Sequence, residues 1–186
     1  LVERLSLNGI AVTRRAGSGV ILVGDATLAL SDGRLASQRA REDGLRNLVL
    51  LDLALDYSTA TRIAISWSAD ITESARDHAV ALLQRAGLKV TAVADLPGLV
   101  VLRTVAMIAN EAADAVLQGV GSAADIDLAM RAGVNYPCGP LAWAGNIGIA
   151  HTLRVLDNLQ RSYGESRYRP SLLLRRCEAK GGTLHD

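Results

Sequence analysis

Short apolar runs separated by turn residues fill the first half of the chain. Each run has three or four residues and little polar alternation, which is typical of strands covered on both faces, as in parallel sheets. The pattern therefore predicts an α/β arrangement up to about residue 95. The runs lie at residues 20–23, 48–51, 63–65 and 90–93.

The clearest local unit spans residues 63 to 93. Asp70, with Glu73 three residues later, is the predicted N-cap of its helix, and Gly87 is the predicted left-handed stop. This spacing predicts a strand-helix-strand unit. By contrast, the charged stretch 27–47 predicts a solvated helix or loop. The predicted helix between the runs at 63–65 and 90–93 has an apolar stripe made of Ile71, Ala75, Ala79, Leu82 and Leu83.

After Pro97 the pattern changes to helices with stop and start signals at their ends. Residues 98–117 predict a long helix whose first half is apolar on all sides, as in the centre of a helical bundle. Ser122 and Asp125 resemble a capping box. Pro140 has the first-turn position of a further helix. We therefore predict an all-α second half.

The change near residues 95–97 predicts two domains. Residues 1–95 are the predicted α/β domain, and residues 96–186 are the predicted helical domain. A helix that ends near Gly164 and a last one that begins after Pro170 complete the second domain. The polar tail at residues 181–186 is predicted to be frayed.

Composition and charge narrow the possible functions. The chain has 186 residues, of which 49% are hydrophobic, so it can bury a core and is not disordered. Its net charge of +1 lacks the excess of cations that binding to a phosphate backbone requires, so no nucleic acid is expected as a partner. The apolar run at 96–109 contains Arg103 and is shorter than the roughly 20 residues of a membrane span.

Cysteine and histidine positions suggest neither a metal site nor a disulfide. Cys138 and Cys177 are far apart and belong to no Cys-x-x-Cys pair, and no histidine has a second ligand at helical spacing. No basic segment followed by an apolar stretch opens the chain. A reducing cytoplasm is therefore the expected location.

A dinucleotide site needs a Gly-x-Gly-x-x-Gly turn after a strand and before a helix. The local candidate is Gly17-Ser18-Gly19, which precedes the run at 20–23 instead of following a strand. The order favours a simple turn into a strand. We therefore predict no NAD binding by this chain alone.

Asn110 and Glu111 interrupt the long apolar helix. A buried amide or carboxylate without a hydrogen bond costs about 1 to 3 kcal/mol, so such groups are expected to have partners. Either the two side chains join helices, or they face a cleft that binds a substrate.

A rigid loop follows the short helix in the second half. Its residues are Tyr136, Pro137, Cys138, Gly139 and Pro140, and it ends at a helix N-terminus. This position suits a substrate contact, and it equally suits a sharp connection between helices.

Spaced motifs in the second half form a specific combination. The motifs are DLPGLVVLR at 95–103, NEA at 110–112, GVGSAADIDLAM at 119–130, NYPCGPLAW at 135–143 and YRPSLL at 168–173. Together they cover about half of the chain and resemble the C-terminal helical domain of NAD-dependent 3-hydroxyacyl-CoA dehydrogenases, which has the fold of the 6-phosphogluconate dehydrogenase C-terminal domain.

A further segment, together with one of these motifs, narrows the resemblance. RTVAM at 103–107, together with 135–143, is most similar to the second copy of this domain in long bacterial enzymes of the 3-hydroxybutyryl-CoA and 3-hydroxyadipyl-CoA type. Enzymes of the latter type act in phenylacetate degradation. There a degenerate, Rossmann-like α/β segment precedes the second copy, and residues 1–95 fit that segment.

The resemblance implies a parent enzyme that oxidises an L-3-hydroxyacyl-CoA to the 3-oxoacyl-CoA with NAD. Its catalytic histidine and glutamate and its NAD fingerprint belong to an N-terminal domain, which this chain lacks. The family's active-site asparagine corresponds to Leu102, which cannot form a hydrogen bond. We therefore expect no catalytic residue, bound cofactor or metal in this chain, and a scaffolding or dimerisation role.

The resemblance also implies partners. They are the N-terminal NAD-binding domain and the first helical domain of the same chain, an acyl-CoA substrate of the parent, and a homo-oligomer. One alternative is a non-catalytic acyl-CoA-binding or oligomerisation module, with Lys89, Arg103 and Arg131 as phosphate contacts. Another is a fragment of a related hydroxyacid dehydrogenase, although those enzymes do not as a group have the Tyr-Pro-Cys-Gly-Pro type of loop.

Overall fold

The chain folds into two units, Leu1–Val101 and Leu102–Asp186. A computed structural model describes residues 1–17 and 19–185. Ser18, in the predicted turn before the first strand, and Asp186, at the end of the predicted frayed tail, lie outside the described residues. The division falls a few residues after the predicted boundary near 95–97.

The first unit is built on a mixed sheet with strand order β1-β2-β3-β4-β5. The β2–β3 and β4–β5 pairs are parallel, and the β1–β2 and β3–β4 pairs are antiparallel. The elements are α1 (Val2–Leu7), β1 (Ile21–Val23), β2 (Ala26–Leu30), α2 (Ala36–Asp43), β3 (Leu48–Leu51), β4 (Arg62–Trp67), α3 (Glu73–Arg85) and β5 (Lys89–Ala92).

The predicted strand-helix-strand unit is confirmed, because β4, α3 and β5 follow one another and the two strands are parallel. The expectation of a parallel sheet is wrong at β3–β4, which is antiparallel, and at β1–β2, where Gly24 and Asp25 form a tight turn. Gly24 has a φ of 56°, in the left-handed region that such a turn uses. The prediction of a helix or loop over residues 27–47 is wrong for residues 27–30, which belong to β2, and it is confirmed by the helix α2.

Helices cover the sheet on both faces, which explains the continuous apolar runs. Val49 and Leu51 of β3 pack in a cluster with α1 and α3. Leu48 and Leu50, the alternate residues of the same strand, pack in a second cluster with α2. Both faces of β3 are therefore buried, as the absence of polar alternation indicated.

The predicted N-cap of α3 is wrong by two residues. Thr72, not Asp70, occupies the N-cap, and its Oγ1 accepts a hydrogen bond from the Ala75 amide at 3.1 Å. The Asp70 carboxylate instead bonds with the Ser68 side chain, which lowers the pKa of Asp70. Local hydrogen bonding thus draws Asp70 away from the helix.

The second unit is helical, as predicted. The Ser122–Asp125 capping box is confirmed, and Pro140 is the first residue of its helix. The helices are α4 (Val101–Leu117), α5 (Ala123–Val134), α6 (Pro140–Ile147), α7 (Ile149–Tyr163) and α8 (Leu172–Lys180), with a 3₁₀ turn at Ser166–Tyr168.

Helix α4 begins at Val101, later than the predicted start at residue 98. Gly98 and Leu99 have φ values of 74° and 53°, and this left-handed conformation cannot continue into a right-handed helix. The amides of Val100 and Val101 then donate to the Asp52 carboxylate at 3.0 and 2.8 Å. The Asp52 side chain therefore binds the last two amides of the first unit, at residues 100 and 101.

Two residues near the end of the C-terminal segment make contacts, so the expectation of a frayed tail is wrong for them. Leu184 is only 7% exposed. His185 Nε2 lies 3.0 Å from Asp127 Oδ2. In the described part of the chain, no helix combines the length and hydropathy required to cross a membrane.

A cluster of ion pairs follows β2. Asp32 is 4% exposed, and its carboxylate receives Arg34 Nη2 at 2.7 Å and lies 3.6 Å from Arg39 Nε. Burial alone would raise the pKa of Asp32, but the hydrogen bond from Arg34 and the charge of Arg39 outweigh it. The pKa of Asp32 therefore lies below its usual range.

This cluster predicts a pH-dependent contribution to stability. A carboxyl group whose pKa is lower in the folded than in the unfolded protein stabilises the fold at pH values above its unfolded pKa. This contribution is lost as pH falls through the folded pKa. Arg34→Met should lower the free energy of unfolding by about 2 kcal/mol at neutral pH. Urea unfolding should show this deficit shrinking as pH falls through the lowered pKa of Asp32. Arg76→Met, which removes exposed pairs with Glu73 and Asp77, is the control. An equal Arg34→Met deficit at neutral and acidic pH contradicts the assignment.

Candidate functional site

Asn110 joins two helices of the second unit. It is 2% exposed. Its Nδ2 donates to the Arg169 carbonyl at 2.9 Å, and its Oδ1 accepts from the Ser171 amide at 2.7 Å. These bonds connect α4 to the start of α8, which corresponds to the first of the two predicted alternatives. Glu111, the next residue, is exposed, so the two predicted side chains do not form one site.

The predicted substrate loop lies between α5 and α6. Asn135 takes the left-handed conformation that ends α5, with a φ of 57°. The Tyr136 ring then packs against Trp143 of α6, with ring centroids 5.5 Å apart. Pro137 is exposed, Cys138 is partly buried and Pro140 is buried. The loop is thus anchored at both ends and presents Pro137 to solvent.

Asp127 of α5 organises this loop, and sequence reasoning gave it no role. Its two carboxylate oxygens accept the amides of Leu141 and Ala142 at 2.8 and 3.0 Å. The N-cap residue of α6 is Gly139, which has no side chain to accept them. A Cβ on Gly139 would overlap the Asp127 carboxylate, so this position requires glycine. The one available sequence signal was a helix that begins Gly-Pro and lacks its own cap.

A groove of about 550 Å³ lies between α6, the start of α7 and the C-terminal segment. Leu141, Ile149 and Leu184 give it apolar walls, while Cys177 and His185 supply polar atoms. The lining begins at Leu141, directly after the predicted substrate loop. The groove is therefore a neighbour of that loop rather than a cleft formed by it.

Arg103 is engaged inside the second unit. Its Nη1 donates to the Tyr163 hydroxyl at 3.1 Å, and its Nη2 donates to the Tyr168 hydroxyl. The guanidinium carbon also lies 4.8 and 5.3 Å from the centroids of these two rings. Arg131, by contrast, is exposed on α5. The structure thus gives Arg103 a packing role and offers no support for it as a phosphate contact.

Leu102, at the position of the family's active-site asparagine, lies in the first turn of α4 and is 0% exposed. A buried leucine offers neither a donor nor an acceptor. The side chain is thus part of the apolar interior.

The residues of the first unit do not fit a dinucleotide. In such domains, helix N-terminal amides and a glycine-rich turn receive the pyrophosphate. Here the amides of Ala36 and Ser37, at the start of α2, donate to the Asp95 carboxylate at 2.6 and 3.0 Å. The turn before α2 contains the single glycine Gly33 and the buried acid Asp32. The first amides of α2 are therefore already bound to a carboxylate of the same unit.

Among the described residues, no group of three or more histidine, cysteine or acidic side chains could hold a metal ion. Cys138 and Cys177 are both free thiols.

Two family models match consecutive parts of the chain. Residues 28–97 match the 3-hydroxybutyryl-CoA dehydrogenase reduced Rossmann-fold domain. Residues 98–183 match the 3-hydroxyacyl-CoA dehydrogenase C-terminal domain. The chain belongs to the 3-hydroxyacyl-CoA dehydrogenase family. This confirms the predicted resemblance and both parts of the predicted fold, and it favours this family over the related hydroxyacid dehydrogenases.

Similar proteins agree with the family match. The chain is 50% identical over 123 residues to the 3-hydroxyadipyl-CoA dehydrogenase of Escherichia coli, an alignment covering 66% of this chain and 26% of that protein. It is 39% identical over 102 residues to a probable 3-hydroxybutyryl-CoA dehydrogenase of Bacillus subtilis, covering 55% of this chain and 36% of the relative. The chain thus spans about a quarter to a third of these relatives.

A solved structure shows the same arrangement of elements. The crystal structure of 3-hydroxybutyryl-CoA dehydrogenase from Escherichia coli aligns with a TM-score of 0.82 and 41% identity, covering 90% of this chain and 34% of that one. An (S)-3-hydroxybutyryl-CoA dehydrogenase from Ralstonia eutropha aligns with a TM-score of 0.67 and 25% identity, and the alignment covers 83% of this chain and 55% of that one. Both parts of the chain therefore have counterparts in larger enzymes of this family.

The close approach of Gly139 to Asp127 predicts a non-additive pair of substitutions. Gly139 has a φ of −69°, which alanine also adopts, so the cost of Gly139→Ala should come from overlap with the carboxylate. We expect a loss of about 2 kcal/mol in unfolding free energy, measured by urea denaturation. Asp127→Ala should also destabilise, and the double variant should lose less than the sum. Gly145→Ala is the control, because a Cβ at residue 145 would have no atom within 4 Å apart from its chain neighbours and the backbone of its own helix. Strict additivity would refute steric coupling.

Proposed function

We propose that this chain is the C-terminal part of an NAD-dependent enzyme that oxidises an L-3-hydroxyacyl-CoA to the 3-oxoacyl-CoA. Within that enzyme, the chain is a non-catalytic scaffold. The observation that carries this proposal is Leu102, a fully buried hydrocarbon side chain at the position of the family's asparagine. An amide there would need hydrogen-bond partners, whereas leucine adds to the packing of α4.

The hydrogen bonds at the start of α2 support the same assignment. Asp95 holds the N-terminal amides of α2, so the first unit lacks free donors at that helix for a pyrophosphate. NAD would then bind to the N-terminal domain of the parent enzyme, which would also carry the catalytic histidine. The residues of this chain stabilise and orient rather than transfer hydride or a proton.

The relatives suggest the substrate class. The similarity to an enzyme named 3-hydroxyadipyl-CoA dehydrogenase supports a short 3-hydroxyacyl-CoA, of the adipyl or butyryl type, and a role in phenylacetate degradation. A cytoplasmic location belongs to the same proposal. The free thiols of Cys138 and Cys177 agree with a reducing compartment.

The scaffold assignment predicts weak or absent ligand binding. Calorimetric titration of the chain with NADH, and separately with acetoacetyl-CoA, should give no saturable heat. Leu102→Asn should not create binding, because residue 102 is fully buried, and it should lower the stability by about 1 to 3 kcal/mol. The full-length Escherichia coli relative, titrated in the same way, is the positive control. Tight NADH binding by this chain would overturn the scaffold proposal.

Helix α5 supports an assembly role. Within this fully described helix only Ala123 and Asp127 are buried. Leu128 and Val134 are 55% and 54% exposed, and Val120, just before the helix, is 72% exposed. Exposed apolar patches mark interaction surfaces. The occupant we propose is the first helical domain of the parent chain, because about two-thirds of the related Escherichia coli chain lies outside the aligned part.

In the absence of that domain, a second copy of this chain should cover the α5 face. We therefore expect a homodimer by light scattering, and Leu128→Lys should shift it to a monomer because a charge cannot be buried there without a partner. Leu172→Lys, on α8 and 50% exposed, should leave the mass unchanged. A monomeric unsubstituted chain, or equal effects of both substitutions, would contradict the assignment of α5.

A further inference from the structure

The segment after α8 forms one wall of the groove beside α6 and α7. This segment, residues 181–185, is called the strap below. Gly181 ends α8 in the left-handed conformation, with a φ of 64°. The Gly182 amide then donates to the Cys177 carbonyl at 3.1 Å, and the Cys177 thiol donates to the Thr183 carbonyl at 3.4 Å. The chain therefore turns back on the end of α8 and enters the lining of the groove.

Two further contacts hold the other end of the strap. The Leu184 side chain is 7% exposed and is one of the apolar walls of the groove. His185 Nε2 lies 3.0 Å from Asp127 Oδ2, and because an ionised carboxylate only accepts hydrogen bonds, this nitrogen carries the hydrogen. The family model of the helical domain ends at Thr183, so both contacts come from residues beyond the matched part.

Asp127 connects the strap to the predicted substrate loop. Its Oδ2 accepts the Ala142 amide at 3.0 Å as well as the His185 imidazole, and its Oδ1 accepts the Leu141 amide. Gly139, in the loop itself, lies against the same carboxylate. Loss of the imidazole would leave the carboxylate with fewer partners, and its hold on the first turn of α6 would weaken. One side chain therefore contributes to the order of both segments.

We propose that the strap closes the groove and that its closure is coupled, through Asp127, to the order of the Tyr136–Pro140 loop. In the closed state the carboxylate holds the imidazole of His185 and the start of α6 together. Release of the strap opens the groove and loosens the loop in the same step. Such coupling is reciprocal, so a change in the loop also changes how firmly the strap is held.

The two cysteines of the chain report on the two sides of this coupling. Cys177 contacts the strap, Cys138 lies in the loop, and both are free thiols. Cys138→Ser leaves only the first thiol and Cys177→Ser only the second, so each can be labelled alone with an aromatic disulfide reagent at one fixed pH. The labelling rate follows the population of the open state when opening and closing are fast. In these backgrounds His185→Ala should raise the rate at Cys177 about fivefold and the rate at Cys138 about twofold.

His78→Ala is the matched control. It removes another histidine–carboxylate pair of similar length, 3.1 Å from His78 Nδ1 to Asp25 Oδ1, in the first unit. Both labelling rates should stay unchanged in this variant. His185→Gln retains a side-chain donor, so it should accelerate labelling less than His185→Ala does.

Each outcome decides the proposal. An unchanged rate at Cys177 in His185→Ala would overturn the strap, and acceleration at Cys177 without any at Cys138 would overturn its coupling to the loop. Equal acceleration by His78→Ala would overturn both, because it would show a general loosening. If His185→Ala loses its helical circular dichroism, the same two rates in Leu184→Ala decide. All these contacts lie within the second unit, so the result does not depend on what the parent enzyme binds.

Discussion

Backbone amides at helix starts are the groups that this fold must satisfy, and side chains distant in sequence satisfy many of them. Leu35 and Gly139, the N-cap residues of α2 and α6, provide no acceptor. Without partners, each buried amide would cost on the order of 1 to 3 kcal/mol. The long-range acceptors are Asp95 for α2, Asp52 for α4, Asp127 for α6 and Asn110 for α8.

These bonds connect the first turn of each helix to a residue that is distant in sequence. Asp52 follows β3 and holds the start of α4, while Asn110 lies inside α4 and holds the start of α8. The helix macrodipole adds to the hold of the carboxylates, since negative charge is favoured at an N-terminus. The same groups that would otherwise attract ligands therefore stabilise this chain.

Local signals predicted the elements whose partners are near in sequence. The Ser122–Asp125 box, Pro140 and the β4-α3-β5 unit were all predicted because their patterns span a few residues or one periodic segment. Strand β2 was missed because it adjoins a charged stretch, with which its residues were grouped. In the candidate site, the Tyr136–Pro140 loop was located, but the role of Asp127 was not, since it lies 14 residues from the amide it caps. A hydrogen bond between residues that are distant in sequence gives no local sequence pattern from which it could be predicted.

The bond from Asp95 to α2 also affects how the chain folds during synthesis. The two partners are separated by 59 residues, so α2 cannot be fully capped until the chain has been made beyond β5. Folding of domains on the ribosome proceeds from the N-terminus, and non-local contacts close last. A boundary drawn just before Asp95 would separate the first unit from the residue that completes its second helix. The linker to the helical part is thus also the last structural piece of the α/β part.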